Sequence, residues 1–289
     1  MSRQPLRPAV TEATAVLHAA GVPSPRADAE NLAAHLLGVE RTRLGLVPMV
    51  EPALLEAYRK MVEQRAKRIP LQYITGLSPM GEIDVEVGPG VFVPRPETEL
   101  LLAWAFAFLE CRHAPVVLDL CTGSGALALA IAHARPDAEV HAVELDPLAL
   151  DWARRNAERQ EYAGDTPITL HAGDATDPLL LTDLDGRVDV LVANPPYIPD
   201  GADLDREVAE HDPPAALFGG PDGLDVISAL VPNVHRWLAL SGAAGVEHDD
   251  SHGAQVAGLF ERDDGFSDIV EHVDLAGRPR FVVARRTLG

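Results

Sequence analysis

The sequence predicts an α/β protein: a doubly wound, mostly parallel seven-stranded sheet, preceded by a small N-terminal helical domain and a β-hairpin linker. Three observations predict it. Residues 1 to about 75 space their apolar side chains for helices and carry almost no strand pattern. Residues 72–95 bring β-branched alternation between Gly/Pro turns, the mark of a hairpin. From residue 96 onward, helical and strand patterns alternate, which gives a parallel sheet with ligands at the C-terminal strand edge. The expected bounds are 1–71 for a helical, substrate-recognising domain, 72–95 for the linker and 96–289 for the sheet domain.

Each element follows in order. "TEATAVLHAAG" reads as a helix stopped at Gly21, and "SPRADAENLAAHLLG" as one capped by Ser24, opened by Pro25 and stopped at Gly38. "PALLEAYRKMVEQRAKR" is a third, longer helix. "QYITG" and "EIDVEVGPGVFVPRPETE" form the hairpin segment. "PETELLLAWAFAFL" is a helix with Pro96 first and Glu97 and Glu99 in its first turn, where acids suit the helix dipole. Strand "PVVLDL", helix "GALALAIAHARP", strand "AEVHAVEL", helix "DPLALDWARRNAER" and strands "PITLHAGD" and "VDVLVANPPY" come next. "GLDVISALVPNVHRWLAL" is helical, with Pro232 expected to kink or divide it. Strand "AAGVEHD", helix "GAQVAGLF" and a closing hairpin around 266–274 and 280–284 complete the chain.

With 47% apolar and 24% charged residues, the composition is that of an ordinary globular protein. The net charge of −20 argues against a broad nucleic-acid surface. The charge is uneven: residues 1–75 hold ten Lys/Arg against seven Asp/Glu, a net of +3, and the remainder holds 14 against 37, a net of −23. The basic run "YRKMVEQRAKR" (58–68) reads as a solvated helix face or as a docking surface. Two cysteines, Cys111 and Cys121, form no CxxC pair and fit a reducing compartment. The N-terminus lacks a signal-peptide pattern and no apolar run has the length of a membrane span, so a cytoplasmic location is expected.

The chemistry concentrates at three strand ends. "VLDLCTGSGALALAIA" is a strand, a glycine turn and a helix, where Gly123 and Gly125 allow a tight turn and close approach to a ligand. A short Gly-x-Gly serves several nucleotides, but this one lacks the lysine of a phosphate loop. Asp119, two residues before the turn, is placed to orient an amino-acid moiety. Glu144 ends the next strand and can accept ribose hydroxyls; Asp174 ends the third and can meet an adenine amino group. The following strand carries no hydride-transfer constellation and ends instead in Asn194-Pro195-Pro196-Tyr197. A planar amide or amino nitrogen is a poor nucleophile because its lone pair is delocalised. The Asn194 side-chain oxygen and a backbone carbonyl, that of Pro195, can accept its two N–H groups and stabilise positive charge developing there. The prolines fix φ, and Tyr197 offers a flat face for packing. A plain strand terminator is the alternative for the two prolines.

This combination resembles the class I, S-adenosylmethionine-dependent N-methyltransferases. More closely, "PLQYITG", "VFVPRPETELLL", "DLCTGSGALALA", "ANPPYIP" and "ALFGGPDGLDVI" resemble, in order, the peptide-chain release factor glutamine methyltransferases of the HemK/PrmC type, from about residue 10 to the C-terminus. The resemblance implies a methyltransferase sheet, S-adenosylmethionine as cofactor, and class 1 peptide chain release factors as the protein substrate, methylated on the glutamine of their Gly-Gly-Gln motif. It implies Asn194, Pro195, Pro196 and Tyr197 as catalytic and substrate-binding residues, with Phe92 as a pocket wall. Cofactor contacts are implied for Asp119, Cys121, Thr122, Gly123, Ser124, Gly125, Glu144, Asp174, Ala175 and Asn194. Cys121 stands where the family pattern usually has Gly, and "VEHDD" (246–250) stands where a Glu followed by small residues is more usual. The cluster Glu247, His248, Asp249, Asp250 and His252 is expected to be a solvated loop, not a metal site. Rival readings are a ribosomal-protein glutamine methyltransferase and an adenine N6 methyltransferase acting on DNA or RNA. The latter needs a phosphate-tracking surface that a half at −23 lacks. No direct nucleic-acid or membrane partner is expected.

Overall fold

The computed structural model describes residues 3–288, which divide into two compact units. The first runs to Leu77 and includes Leu204–His211; the second comprises Ser78–Asp203 and the chain from Asp212 onward.

The first unit opens with the short strand β1 (Gln4–Pro5), which pairs antiparallel with β2 (Met49–Val50). Helices α1 (Leu6–Ala19), α2 (Pro25–Leu37) and α3 (Pro52–Ala66) pack around Leu6, Leu17, Leu32, Leu55 and Tyr58. Gly38 closes α2 in the left-handed conformation, φ 61°. Ser24 makes no side-chain cap; its carbonyl instead accepts the Asp28 N–H at 2.9 Å. "QYITG" is not a strand. It lies in a short helix, α4 (Leu71–Thr75), ended by Gly76 at φ 76° with its N–H on the Gln72 carbonyl. The β-branched Ile74 and Thr75 suggest a strand, but the left-handed glycine sets the stop of a helix.

The basic run of α3 is divided by burial. Arg59, Lys60 and Lys67 are exposed, whereas Arg65 continues the buried stripe of Leu55, Tyr58 and Val62. Its guanidinium pairs with Asp28 at 2.7 Å and with Glu207 at 2.7 Å. Arg68, also buried, pairs with Asp205 at 2.8 Å and donates to the Gly21 carbonyl. These bonds tie the distant segment Leu204–His211 into the helical unit.

The second unit begins with the two-stranded sheet of β3 (Leu77–Met80) and β4 (Ile83–Glu86). Then follow α5 (Thr98–Leu109), β5 (Val116–Leu120), α6 (Ala126–Ala134), β6 (Glu139–Glu144), α7 (Pro147–Ala163), β7 (Thr169–Ala172) and β8 (Val188–Ala193). A six-residue helix, α8 (Arg206–His211), is the piece that belongs to the first unit. After it come α9 (Asp225–Trp237), β9 (Leu238–Glu247), α10 (Gly253–Glu261), β10 (Phe266–Val273) and β11 (Pro279–Arg286).

The seven strands run in the order β10-β11-β9-β8-β5-β6-β7. β7, β6, β5, β8 and β9 are parallel; β11 is antiparallel to both β9 and β10. β8 is buried on both faces, which is why it reads as an apolar run. α5 starts at Thr98 rather than Pro96. α9 is continuous through Pro232, because Ile227, Leu230, Val231, Val234 and Trp237 bury one face on both sides of the proline. No helix among the described residues is long and apolar enough to cross a membrane.

Arg65→Ala should lower the unfolding free energy by about 3 kcal/mol, because it leaves the buried Asp28 without its cation and Glu207 with only Arg68, at 3.6 Å. Denaturant unfolding followed by circular dichroism measures this; an unchanged midpoint would show that the pairs are not coupled to stability.

Candidate active site

A cavity of about 690 Å³ opens within the second unit at the carboxyl ends of β5, β6, β7 and β8. This is the switch point of the sheet, where β5 and β8 are neighbours and their chains turn to opposite sides. Of the residues singled out in the sequence, Phe92, Asp119, Cys121, Thr122, Gly123, Ser124, Glu144, Asp174, Ala175, Asn194, Pro196 and Tyr197 line it. Gly125 and Pro195 do not border it. Gly125, at φ 82°, caps α6, and Pro195 is buried behind the wall.

The glycine turn is built by hydrogen bonds to acids. Asp119 Oδ2 accepts the Thr122 hydroxyl and the Ala128 N–H. Its Oδ1 is buried with no protein partner. Burial pushes this carboxyl up to about 7, against the lowering effect of those two donors. Glu144 Oε2 accepts the Gly123 N–H at 2.8 Å and Oε1 accepts the Asp146 N–H at 2.9 Å. Its carboxyl is also raised, chiefly by burial. Asp174 Oδ1 takes the N–H and hydroxyl of Thr176. The carbonyls of Ser124 and Ala175 accept from Asn156 and Asn233 and hold their segments in place.

Five carboxylates line the cavity, those of Asp119, Glu144, Asp146, Asp174 and Asp225, and no Lys, Arg or His does. Such a lining favours a cationic ligand and disfavours a pyrophosphate-bearing dinucleotide. The unpartnered Asp119 oxygen fits an ammonium donor, and the glycine turn leaves room above Gly123, where a Cβ would meet nothing within 4 Å.

Cys121 adopts φ 57°, the left-handed region that glycine enters freely. The turn needs this conformation, and this chain adopts it with a side chain. Burial pushes the Cys121 thiol up, and Glu144, Asp119 and Asp174 push it further, so it stays protonated.

Asn194 follows the last residue of β8 directly. Its Nδ2 donates to Thr98 Oγ1 at 3.3 Å, and its Oδ1 has no partner among the described residues. Thr98 in turn donates to Glu247 Oε2 at 2.9 Å, and the Tyr197 hydroxyl donates to Glu247 Oε1 at 3.2 Å. Phe92 lies under the Arg95 guanidinium, 4.7 Å from its ring centre, and Arg95 pairs with Asp212.

Sequence reasoning missed Thr98 and Glu247, and it misread the 246–252 segment. Glu247, His248 and His252 are buried rather than solvated, because Glu247 closes the end of β9 behind Tyr197. No group of three or more His, Cys, Asp or Glu among the described residues has metal-binding placement. It also left Gly219 and Gly223 without a role. A Cβ on Gly219 would lie 2.6 Å from the Pro196 carbonyl oxygen, and one on Gly223 would strike that of Tyr197. The signal was present in "FGGPDG", whose glycines mark a close backbone approach.

The sheet order and this acidic crevice define a methyltransferase of the doubly wound class. Residues 8–76 match the PrmC N-terminal domain and residues 86–211 the methyltransferase small domain. A release factor glutamine methyltransferase of Mycolicibacterium smegmatis is 55% identical over 281 residues, 97% of this chain and 98% of that one. One from Mycobacterium tuberculosis is 50% identical, over 97% of this chain and 91% of that one. Among solved structures, the 16S rRNA N2 G1207 methyltransferase of T. thermophilus, in complex with AdoMet and guanosine, shares the fold. Its TM-score is 0.52 at 23% identity, over 73% of this chain and 49% of that one. The chain belongs to the release factor glutamine methyltransferase family.

Replacing Cys121 tests the turn. Cys121→Gly relieves about 1–2 kcal/mol of left-handed strain, offset by about 0.5–1 kcal/mol of added freedom in the unfolded chain. Stability should therefore stay level or rise slightly. Cys121→Val should lower it by more than about 1 kcal/mol, since a β-branched side chain tolerates this φ poorly. Equal unfolding midpoints for Gly and Val variants would refute the strained turn.

Proposed function

We propose that this enzyme transfers a methyl group from S-adenosylmethionine to the side-chain amide nitrogen of the glutamine in the Gly-Gly-Gln motif of class 1 peptide chain release factors. The observation that carries the reading is an uncommitted Asn194 carbonyl oxygen at the edge of a cavity whose ionisable lining is anionic. The names of the relatives direct the choice of protein substrate.

S-adenosylmethionine, when bound, supplies a methyl group on a cationic sulfur. Asp119 would hold its ammonium with the oxygen that lacks a protein partner. Glu144 would take ribose hydroxyls on lone pairs left after its backbone bonds, and Asp174 would face the adenine. The acidic walls favour positive charge throughout. Asn194 Oδ1 accepts one N–H of the substrate amide, which turns that nitrogen's lone pair toward the methyl donor and stabilises charge as it develops. A backbone carbonyl of the motif is assigned the second N–H. Tyr197 and Phe92 flank the planar group. No tuned base is needed if the proton leaves to water after transfer.

A glutamine side chain is too small to single out one protein, so selectivity belongs to surface remote from the reacting nitrogen. We assign that recognition to the N-terminal helical domain, 1–71, with 72–95 as linker and 96–289 as the transferase domain.

Labelled S-adenosylmethionine and purified class 1 release factors should yield label on the Gly-Gly-Gln glutamine, mapped by mass spectrometry. Label appearing only in a ribosomal protein or an oligonucleotide would overturn the substrate assignment. Asn194→Ala should lower single-turnover transfer by about 10²–10³ with little change in release-factor affinity. A near-normal rate would reduce the motif to a strand terminator.

Cofactor affinity should depend on Asp119. An ammonium binds the ionised carboxylate, and burial holds this carboxyl at about 7. Affinity for S-adenosylmethionine should thus strengthen as pH rises through that value and weaken as pH falls below it. Calorimetry across this range should show the slope, and Asp119→Asn should abolish it. An unchanged slope in the variant would remove Asp119 from the ammonium site.

A further inference from the structure

Asn194 is useful only with its amide turned one way. With Oδ1 toward the cavity it accepts a substrate N–H; with Nδ2 there it would repel one. The two orientations have almost the same shape, so a hydrogen bond must choose between them. The chain of bonds behind the motif makes that choice. Thr98 has one hydroxyl hydrogen, and Glu247 takes it at 2.9 Å. The Thr98 oxygen is then left to accept, and it accepts Asn194 Nδ2 at 3.3 Å. The planar amide points Oδ1 the other way. The same carboxylate takes the Tyr197 hydroxyl on its second oxygen, at 3.2 Å. Glu247 therefore grips both ends of the motif, one of them through Thr98.

We propose that Glu247 is a positioning residue, which, as an ionised acceptor, sets the Asn194 amide and the Tyr197 ring in the orientation that receives the substrate amide. The inference rests on the function proposed above for Asn194, and it adds a residue that touches neither cofactor nor substrate.

The polarity of the chain depends on the charge of Glu247. A protonated carboxyl would donate to Thr98, and the Thr98 hydroxyl would then donate to Asn194 Oδ1, reversing the amide. Burial pushes the Glu247 carboxyl up to about 7; the Thr98 and Tyr197 hydroxyls lower it, Glu97 raises it and Arg280 lowers it. Arg95 and Arg280 also act on the Tyr197 hydroxyl, which burial and Glu247 hold well above its ordinary value and therefore protonated. Reversal is thus expected as pH falls through about 7. Asp119 titrates in the same range, so the rate is read at saturating S-adenosylmethionine, where its effect on affinity is removed.

The test pairs a rate with a structural signal that does not need the substrate. The side-chain amide resonances of Asn194, assigned by their loss in Asn194→Ala, should shift with pH around 7 in the wild type and stay fixed in Glu247→Gln. Single-turnover methylation of a class 1 release factor should fall about 10- to 100-fold in Glu247→Gln, the scale of a misplaced reacting group, and lose its acid limb. Cofactor affinity should change far less than the rate. Thr98→Val, which keeps shape and removes the relay, should lose activity similarly, and Thr98→Ser should restore it; this pair decides the matter if Glu247→Gln unfolds. An Asn194 amide insensitive to Glu247, together with a normal rate in Glu247→Gln or Thr98→Val, overturns the proposal. A titrating Asn194 amide in a wild type that methylates no release factor would uphold the relay and overturn the substrate assignment instead.

Discussion

The site depends on one constraint of chain routing. β5 and β8 lie side by side in parallel, Leu120 opposite Ala193, yet one leads toward β6 and the other toward β9. Helices cannot cover the edge where neighbouring strands part, so a crevice opens there. Five parallel strands then each bring one polar residue to the same edge. β5 carries Asp119, β6 ends in Glu144, Asp174 follows β7 by two residues, Asn194 follows β8, and β9 ends in Glu247. The register of the sheet, set by buried apolar pairs such as Leu118 and Leu191, thereby sets the spacing of the chemistry.

Three of these residues are buried carboxylates, and burial is the leading cause of the upward shift of each. None is neutralised by a cation in contact, so all three cost stability. They differ in how far they are satisfied. Both oxygens of Glu144 hold backbone N–H groups and both of Glu247 hold hydroxyls, whereas Asp119 keeps one buried oxygen without a partner. A completed network rigidifies its surroundings, and an incomplete one marks where a ligand's donor belongs. The contrast sets Asp119, with one oxygen still open to a donor, apart from Glu247, whose two oxygens are each taken by a hydroxyl.

The sheet was legible because its central strands are buried on both faces and so read as apolar runs, and the motif was legible because Asn-Pro-Pro-Tyr is contiguous. What was hidden is non-local. Glu247 has partners 149 and 50 residues away, and nothing beside it in "GVEHDD" distinguishes a buried acid from a solvated one. α8 is six residues, four of them polar, held through Glu207 by Arg65 and Arg68, and no periodicity announces it. Arg65 itself could have been found, since Leu55, Tyr58, Val62 and Arg65 share one face at steps of three and four. α4 was mistaken for strand because the branched side chains of Ile74 and Thr75 outweighed Pro70 before them and Gly76 after them.

Rigidity of the motif comes from three sources acting on different atoms. The two prolines fix φ at 195 and 196, which limits the path of the backbone but not its position. Position comes from the neighbouring segment: the Ile198 N–H reaches the Leu217 carbonyl at 2.8 Å, and the Gly219 N–H reaches the Ile198 carbonyl at 2.9 Å. That approach is possible only because Gly219 and Gly223 present no Cβ to the carbonyls of Pro196 and Tyr197. Neither device orients a side chain. A fixed backbone still leaves the Asn194 amide free to rotate by half a turn at almost no steric cost, and only a hydrogen-bond network of defined polarity removes that freedom. A strand terminator would need the prolines alone. The glycines that seat the loop and the buried carboxylate that polarises it belong to a site in which the direction of one amide matters.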